Sequence, residues 1–99
     1  MEEKKINLAL QVLPQAEGKN SYDLVDVAIK LIEDSGLTYQ VCPFETVIEG
    51  KFDELMALVR RIHQELEKNG TEKLMTYMKL QTVFQQDVTI QDKMHKYNR

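Results

Sequence analysis

The stretch LTYQVCPFETVIEG, residues 37–50, decides the fold because it holds two strand-like segments joined by a short turn. Larger apolar or aromatic residues alternate with smaller or polar ones across residues 37–42, and TVIE at residues 46–49 is rich in β-branched residues. Pro43 interrupts the first segment, and Gly50 closes the second. The pattern predicts a β-hairpin in the middle of the chain.

An amphipathic helix is predicted on each side of this hairpin. Upstream, SYDLVDVAIKLIEDSG repeats apolar residues at spacings of three and four, with Asn20 or Ser21 as the N-cap and Gly36 as the stop. Downstream, the same spacing runs from Phe52 to Leu66, and Asn69-Gly70 ends the segment. Both patterns are typical of helices that bury one face.

The outer segments predict two further strands and a short terminal helix. INLALQVL, residues 6–13, alternates with period two and stops at Pro14, and KLMTYMKLQTV, residues 73–83, contains the last strand. Thr89 followed by Asp92 resembles a capping box. It predicts a helix with Ile90, Met94 and Tyr97 on one side.

The element order is therefore β-α-β-β-α-β followed by a C-terminal helix. Right-handed crossovers then favour a ferredoxin-like α+β sandwich, with a four-stranded antiparallel sheet and two helices on one face. Strands one and three are central neighbours and strands two and four are edges, so Glu49 ends a central strand. We expect a single domain across residues 1–99.

One sheet face is left without a helix, and we call it the open face. The alternation places these residues there: Asn7, Ala9, Gln11, Thr38, Gln40, Cys42, Tyr77, Lys79 and Gln81. Thr46 or Ile48 joins them, depending on the phase of strand three, which the sequence does not fix. Neutral hydrogen-bonding groups beside an aromatic ring suit a flat polar ligand or a hydrated subunit interface.

Composition narrows the classes of partner. The chain has 99 residues, 42% of them hydrophobic and 29% charged, with a formal net charge of -3. No concentrated basic surface is evident, so we expect neither nucleic acid nor a membrane as partner. A lone cysteine and the lack of a signal-peptide pattern indicate a reducing, cytoplasmic setting.

Few residues suggest chemistry. Cys42 is most simply a small strand residue, and His63 has too few potential ligand partners for a zinc site, so we predict no metal and no catalytic residue. Glu49 has two interpretations. It is either a solvated strand-end residue or a placed carboxylate, which accepts hydrogen bonds from N–H donors such as those of an aminopyrimidine.

SGLTYQVCPFETVIEG, residues 35–50, resembles the signature of the small thiamine-binding proteins of the MTH1187/YkoF-like family, formerly a domain of unknown function. The matching positions are Ser35, Gly36, Leu37, Tyr39, Pro43, Thr46, Ile48, Glu49 and Gly50. The opening strand that ends at Pro14 and a terminal DKM containing Lys93 fit as well. Two departures are Glu45, where many members have glycine, and the lack of an arginine in QTVFQQD, residues 81–87. The resemblance implies a ferredoxin-like protomer that forms homodimers or homotetramers. It also implies binding of thiamine or hydroxymethylpyrimidine, without a catalytic step or a cofactor.

With that ligand, we expect Glu49 to accept from the aminopyrimidine. Hydrogen bonds are expected from Thr46, Gln11, Asn7 and Gln40, and stacking from Tyr39, Phe44 or Tyr77. The alternation places the Tyr39 side chain toward the helices of its own protomer. This orientation conflicts with a stacking contact on the open face. Two alternatives stay open: a cofactor-free enzyme with Glu49 as general base, and a structural or regulatory oligomer.

Overall fold

The computed structural model describes residues 4–94 and has the predicted order of elements. The elements are β1 (Lys5–Gln15), α1 (Ser21–Asp34), β2 (Thr38–Val41), β3 (Thr46–Lys51), α2 (Phe52–Lys68), β4 (Lys73–Gln81) and α3 (Ile90–Met94). The four-stranded sheet has the order β2-β3-β1-β4, and its neighbouring strands are antiparallel. The ferredoxin-like prediction is confirmed, including β1 and β3 as central neighbours.

The helix-covered face of the sheet forms the hydrophobic core. Ile6 and Leu8 of β1 and Ile48 of β3 are completely buried against α1 and α2. Leu55 and Ile62 of α2 are equally buried. Fully burying such a side chain contributes about 1.5–3 kcal/mol, so this face supplies most of the driving force for folding.

The helix ends follow the signals in the sequence. Asn20 caps α1, with its side-chain oxygen accepting from the backbone N–H of Tyr22 at 2.8 Å. Gly36 follows α1 with a φ of 80°, and Gly70 follows α2 with a φ of 93°, both in the left-handed region that favours glycine. At the start of α2, the Glu54 carboxylate accepts from the backbone N–H of Lys51 at 2.9 Å.

The phase of β3 differs from expectation. Ile48 lies opposite Leu8 and Thr46 opposite Leu10, so both point toward the helices. The prediction that one of them joins the open face is therefore wrong. The large apolar Ile48 enters the core, and with a period of two Thr46 must follow it there.

The open face is partly covered by the segment that follows β4. The backbone N–H of Val88 donates to the carbonyl of Lys5 at 2.9 Å, and the Asp87 carboxylate accepts from the N–H of Lys5 at 2.9 Å. The segment thus runs beside β1 beyond the end of β4 and places α3 over β2 and β3. Thr89 caps α3 by accepting from the N–H of Asp92 at 3.1 Å. Tyr97, the third residue predicted for this helix, lies outside the described residues.

Among residues 4–94, no helix combines the length and apolar character needed to cross a membrane.

Candidate functional site

A cavity of about 300 Å³ lies between the open face of the sheet and α3, and we call it the open-face cavity. The sheet contributes Asn7, Ala9, Gln40 and Gln81, among others. Ile90, Lys93 and Met94 of α3 contribute the other wall. The volume is at the lower end of the range for small-molecule sites.

Strand register arranges the open face, beneath and beside this cavity, in two rows that cross the sheet. One row is polar throughout and consists of Thr38, Glu49, Asn7 and Gln81. The next row consists of Gln40, Val47, Ala9 and Lys79. The centre of the second row is small and apolar and its ends are polar, which leaves room for a flat ring with hydrogen-bonding groups at its edges.

Asn7 is the most deeply buried polar residue of the open face, with 3% exposure. Its Nδ2 donates to the carbonyl of Val88 at 3.0 Å. Its Oδ1 is buried without a hydrogen-bond partner among residues 4–94. An unsatisfied buried acceptor costs about 1–3 kcal/mol. A ligand that donates a hydrogen bond to this oxygen therefore removes that cost.

Glu49 lies beside Asn7 in the polar row and is only 9% exposed. Its Oε1 accepts from the backbone N–H of Ile90 at 2.9 Å. Glu49 is therefore not the solvated strand-end residue of the simpler interpretation. The carboxylate ties α3 to the central strand and stands next to the cavity instead of lining it.

Three charged side chains line the open-face cavity: Glu45, Lys79 and Lys93. Lys79 Nζ lies 3.7 Å from Glu45 Oε2, and both side chains are partly in solvent. Partial burial lowers the pKa of Lys93 below its usual value of 10.5, because the ammonium group loses contact with water.

Several of the predicted site residues lie elsewhere. Gln11, Thr46 and Phe44 line a second cavity of about 380 Å³ between α1 and the β2–β3 turn, which we call the α1 groove. Tyr39 lies opposite Ile48 on the helix side of the sheet. Tyr77 lies on the open face opposite Gln11 and outside the cavity lining.

Most of the predicted site residues therefore fall into two separate groups, one at each cavity. Asn7 and Gln40 meet in the open-face cavity with Glu49 at its border, and Gln11, Thr46 and Phe44 meet in the α1 groove. Sequence reasoning missed the wall formed by Ile90, Lys93 and Met94. The Thr89 and Asp92 pair signalled a helix there, but no local pattern indicates where a terminal helix docks.

Cys42 and His63 show no catalytic arrangement. Cys42 Sγ lies 3.8 Å from the carbonyl of Gln40, and His63 Nε2 lies 2.9 Å from Thr76 Oγ1. Within the described part of the chain, no three His, Cys, Asp or Glu residues are grouped so that they could hold a metal ion.

Comparison with known proteins gives one family. Residues 8–98 match the family model described as thiamine-binding protein. A UPF0045 protein of Clostridium perfringens is 33% identical over 91 residues, which cover 92% of this chain and 95% of that protein.

Solved structures with the same fold include a domain of unknown function, DUF77, from Bacillus cereus. It has a TM-score of 0.91 and 35% identity, covering 96% of this chain and 91% of that one. A Thermotoga maritima protein assigned provisionally to thiamine biosynthesis or salvage has a TM-score of 0.86 and 28% identity. That match covers 95% of this chain and 99% of the other.

Proposed function

We propose a function from one premise: the chain belongs to the thiamine-binding protein family. The proposed function is non-enzymatic binding of thiamine, or of its hydroxymethylpyrimidine portion, in the open-face cavity. The observation that carries this proposal is the pair of rows on the cavity floor, with side-chain amides around a small apolar centre. The provisional assignment of the Thermotoga maritima protein to thiamine biosynthesis or salvage supports the same ligand.

The chemistry of an aminopyrimidine suits this floor. The ring is flat and apolar on its faces, which matches Ala9 and Val47, and its edge presents an amine donor and ring-nitrogen acceptors. Gln40 and Gln81 each carry a donor and an acceptor. Asn7 Oδ1 provides a buried acceptor that no described residue uses.

Glu49 is the proposed acceptor for the amine of the ligand. Its Oε1 is taken by the N–H of Ile90, and Oε2 accepts no hydrogen bond from residues 4–94. A charged acceptor forms stronger hydrogen bonds than a neutral one, so Oε2 is a stronger acceptor than the side-chain amide oxygens of the floor. A role as general base is less favoured, because Glu49 already accepts the Ile90 N–H and stands beside the cavity instead of lining it.

Five of the predicted site residues are left out of the proposed site. Gln11, Thr46 and Phe44 line the α1 groove, and Tyr39 lies on the helix side of the sheet. Tyr77 lies on β4 outside the cavity lining, at the subunit contact proposed for that strand.

A calorimetric titration with a blocked variant tests the proposal. Ala9 lies at the centre of the floor, so Ala9→Phe fills the cavity without entering the hydrophobic core. Ala57→Phe, on the exposed side of α2, is the matched control. We expect thiamine or hydroxymethylpyrimidine to bind the wild type and Ala57→Phe but not Ala9→Phe. Equal binding by all the proteins, or no binding by the wild type, contradicts the proposal.

We also propose that copies of this chain associate through β4. This strand is a nine-residue sheet edge, and Met75, Tyr77, Met78 and Leu80 on it are 44–50% exposed. Unpaired edges with apolar side chains readily pair with another strand. Light scattering should show a dimer or tetramer that Tyr77→Lys with Met78→Lys reduces to a monomer. A wild type that is monomeric at every concentration refutes this contact.

A further inference from the structure

Two lysines line the open-face cavity, one from the sheet and one from α3. Lys79 of β4 has a carboxylate partner, since its Nζ lies 3.7 Å from Glu45 Oε2. Lys93 of α3 has no carboxylate at salt-bridge distance among residues 4–94. The cavity therefore carries one positive charge that its own described walls do not balance.

Lys93 is largely exposed, and the limited burial of its ammonium group makes this charge slightly unfavourable for the protein alone. Partial burial removes water from the ammonium group, and this loss lowers its pKa. An anion placed beside Lys93 replaces the lost hydration with a charge-assisted hydrogen bond. A cationic group placed there, such as a thiazolium ring, increases the cost.

The side-chain amides of the cavity lie on a different wall from the lysine on α3. Asn7, Gln40 and Gln81 lie on the sheet floor, where the neutral ring is proposed to bind, and Lys93 lies on the opposite wall. A ligand that pairs a neutral polar ring with an anionic group matches both walls at once. A lysine ammonium is a compact charge with three donors, which suits phosphate oxygens.

We infer that the open-face cavity selects the phosphorylated form of its ligand, with a phosphate monoester held by Lys93 and a weaker contact from Lys79. Lys79 contributes less because Glu45 neutralises part of its charge and repels the phosphate. This inference rests on the proposed function, because it takes the cavity as the ligand site.

The test compares thiamine with thiamine monophosphate by calorimetry, at one pH and one salt concentration. The readout is the ratio of the dissociation constant of thiamine to that of the monophosphate. A hydrogen bond to a charged group contributes enough to make this ratio roughly tenfold to a hundredfold in the wild type. We expect Lys93→Met to bring the ratio close to unity and Lys79→Met to lower it less. Lys30→Met, which removes an equal charge on the exposed surface of α1, should keep the wild-type ratio.

Each result has a separate meaning. If thiamine binds and the wild-type ratio is unity or below, the selectivity is refuted and the proposed function stands. If Lys93→Met weakens both ligands equally, Lys93 only supports α3 and the inference is again refuted. If neither ligand binds the wild type, the proposed function fails and the inference fails with it. Circular dichroism of Lys93→Met establishes that the variant is folded.

Discussion

Each face of the sheet holds buried residues on the central strands β1 and β3, but the chemistry of these residues is opposite on the two faces. On the helix-covered face, Ile6, Leu8 and Ile48 are completely buried among apolar side chains. On the open face, Asn7 and Glu49 are 3% and 9% exposed, and backbone groups of residues 88 and 90 contact them. Burying polar groups costs free energy unless they are hydrogen-bonded. The helix-covered face therefore stabilises the fold, while the open face holds polar groups in place at some cost to stability.

The largest expected effect is a difference in the free energy of unfolding between substitutions on the two faces of the sheet. Leu8→Ala leaves a cavity in the core and should lower the free energy of unfolding by about 2–5 kcal/mol. Val47→Ala, on the neighbouring central strand but on the open face, should cost about 1 kcal/mol, because its side chain is only half-buried. Urea denaturation measures both. Equal losses at the two positions contradict the division of roles.

The second effect concerns the tie between the open face and α3. Glu49→Ala removes the acceptor of the Ile90 N–H and should cost about 1–3 kcal/mol. Glu49→Gln keeps a side-chain oxygen and should cost less. Amide hydrogen exchange at Ile90 should accelerate strongly in Glu49→Ala, with little change at core amides such as that of Leu8. Unchanged protection of Ile90 rules out this role for Glu49.

The smallest effect is the pH dependence contributed by Lys93. Its pKa in the folded state lies below the unfolded value of 10.5, so the unfolded chain binds more protons between those two values. The small cost of the partly desolvated ammonium group is therefore fully present at lower pH and is relieved as the pH rises through this window. Lys79 and Glu45, the other charged residues of the cavity, are retained in Lys93→Met. Stability should rise with pH more in the wild type than in Lys93→Met, and parallel curves exclude the effect.

Much of the fold could be predicted because its signals are local. The alternation of residues 6–13 gives the phase of β1, and Ile6, Leu8 and Leu10 are buried as that phase requires. The sheet order follows from the element order and the handedness of the crossovers. The phase of β3 could not be fixed, because residues 46–49 place one polar and one β-branched apolar residue on each face.

The site was only partly predictable because its second wall comes from distant sequence. Asn7 contacts Val88 across a separation of 81 residues, and Glu49 contacts Ile90 across 41. Periodicity indicates a helix near residue 90 but not the surface that it covers. Asn7, Gln40 and Glu49 belong to the sheet, whose arrangement the sequence predicts. These three residues lie in or beside one cavity. Lys93 belongs to the DKM that fits the family resemblance, but no pattern places it at this cavity, because its position depends on the docking of α3.

The central claim is that the open face holds the ligand, and a crystal structure of the protein soaked with thiamine tests it most directly. We expect ligand density over Ala9 and Val47, with the aminopyrimidine edge at hydrogen-bond distance from Asn7, Gln40 or Glu49. Density in the α1 groove beside Phe44, with an empty open-face cavity, would overturn the proposed site.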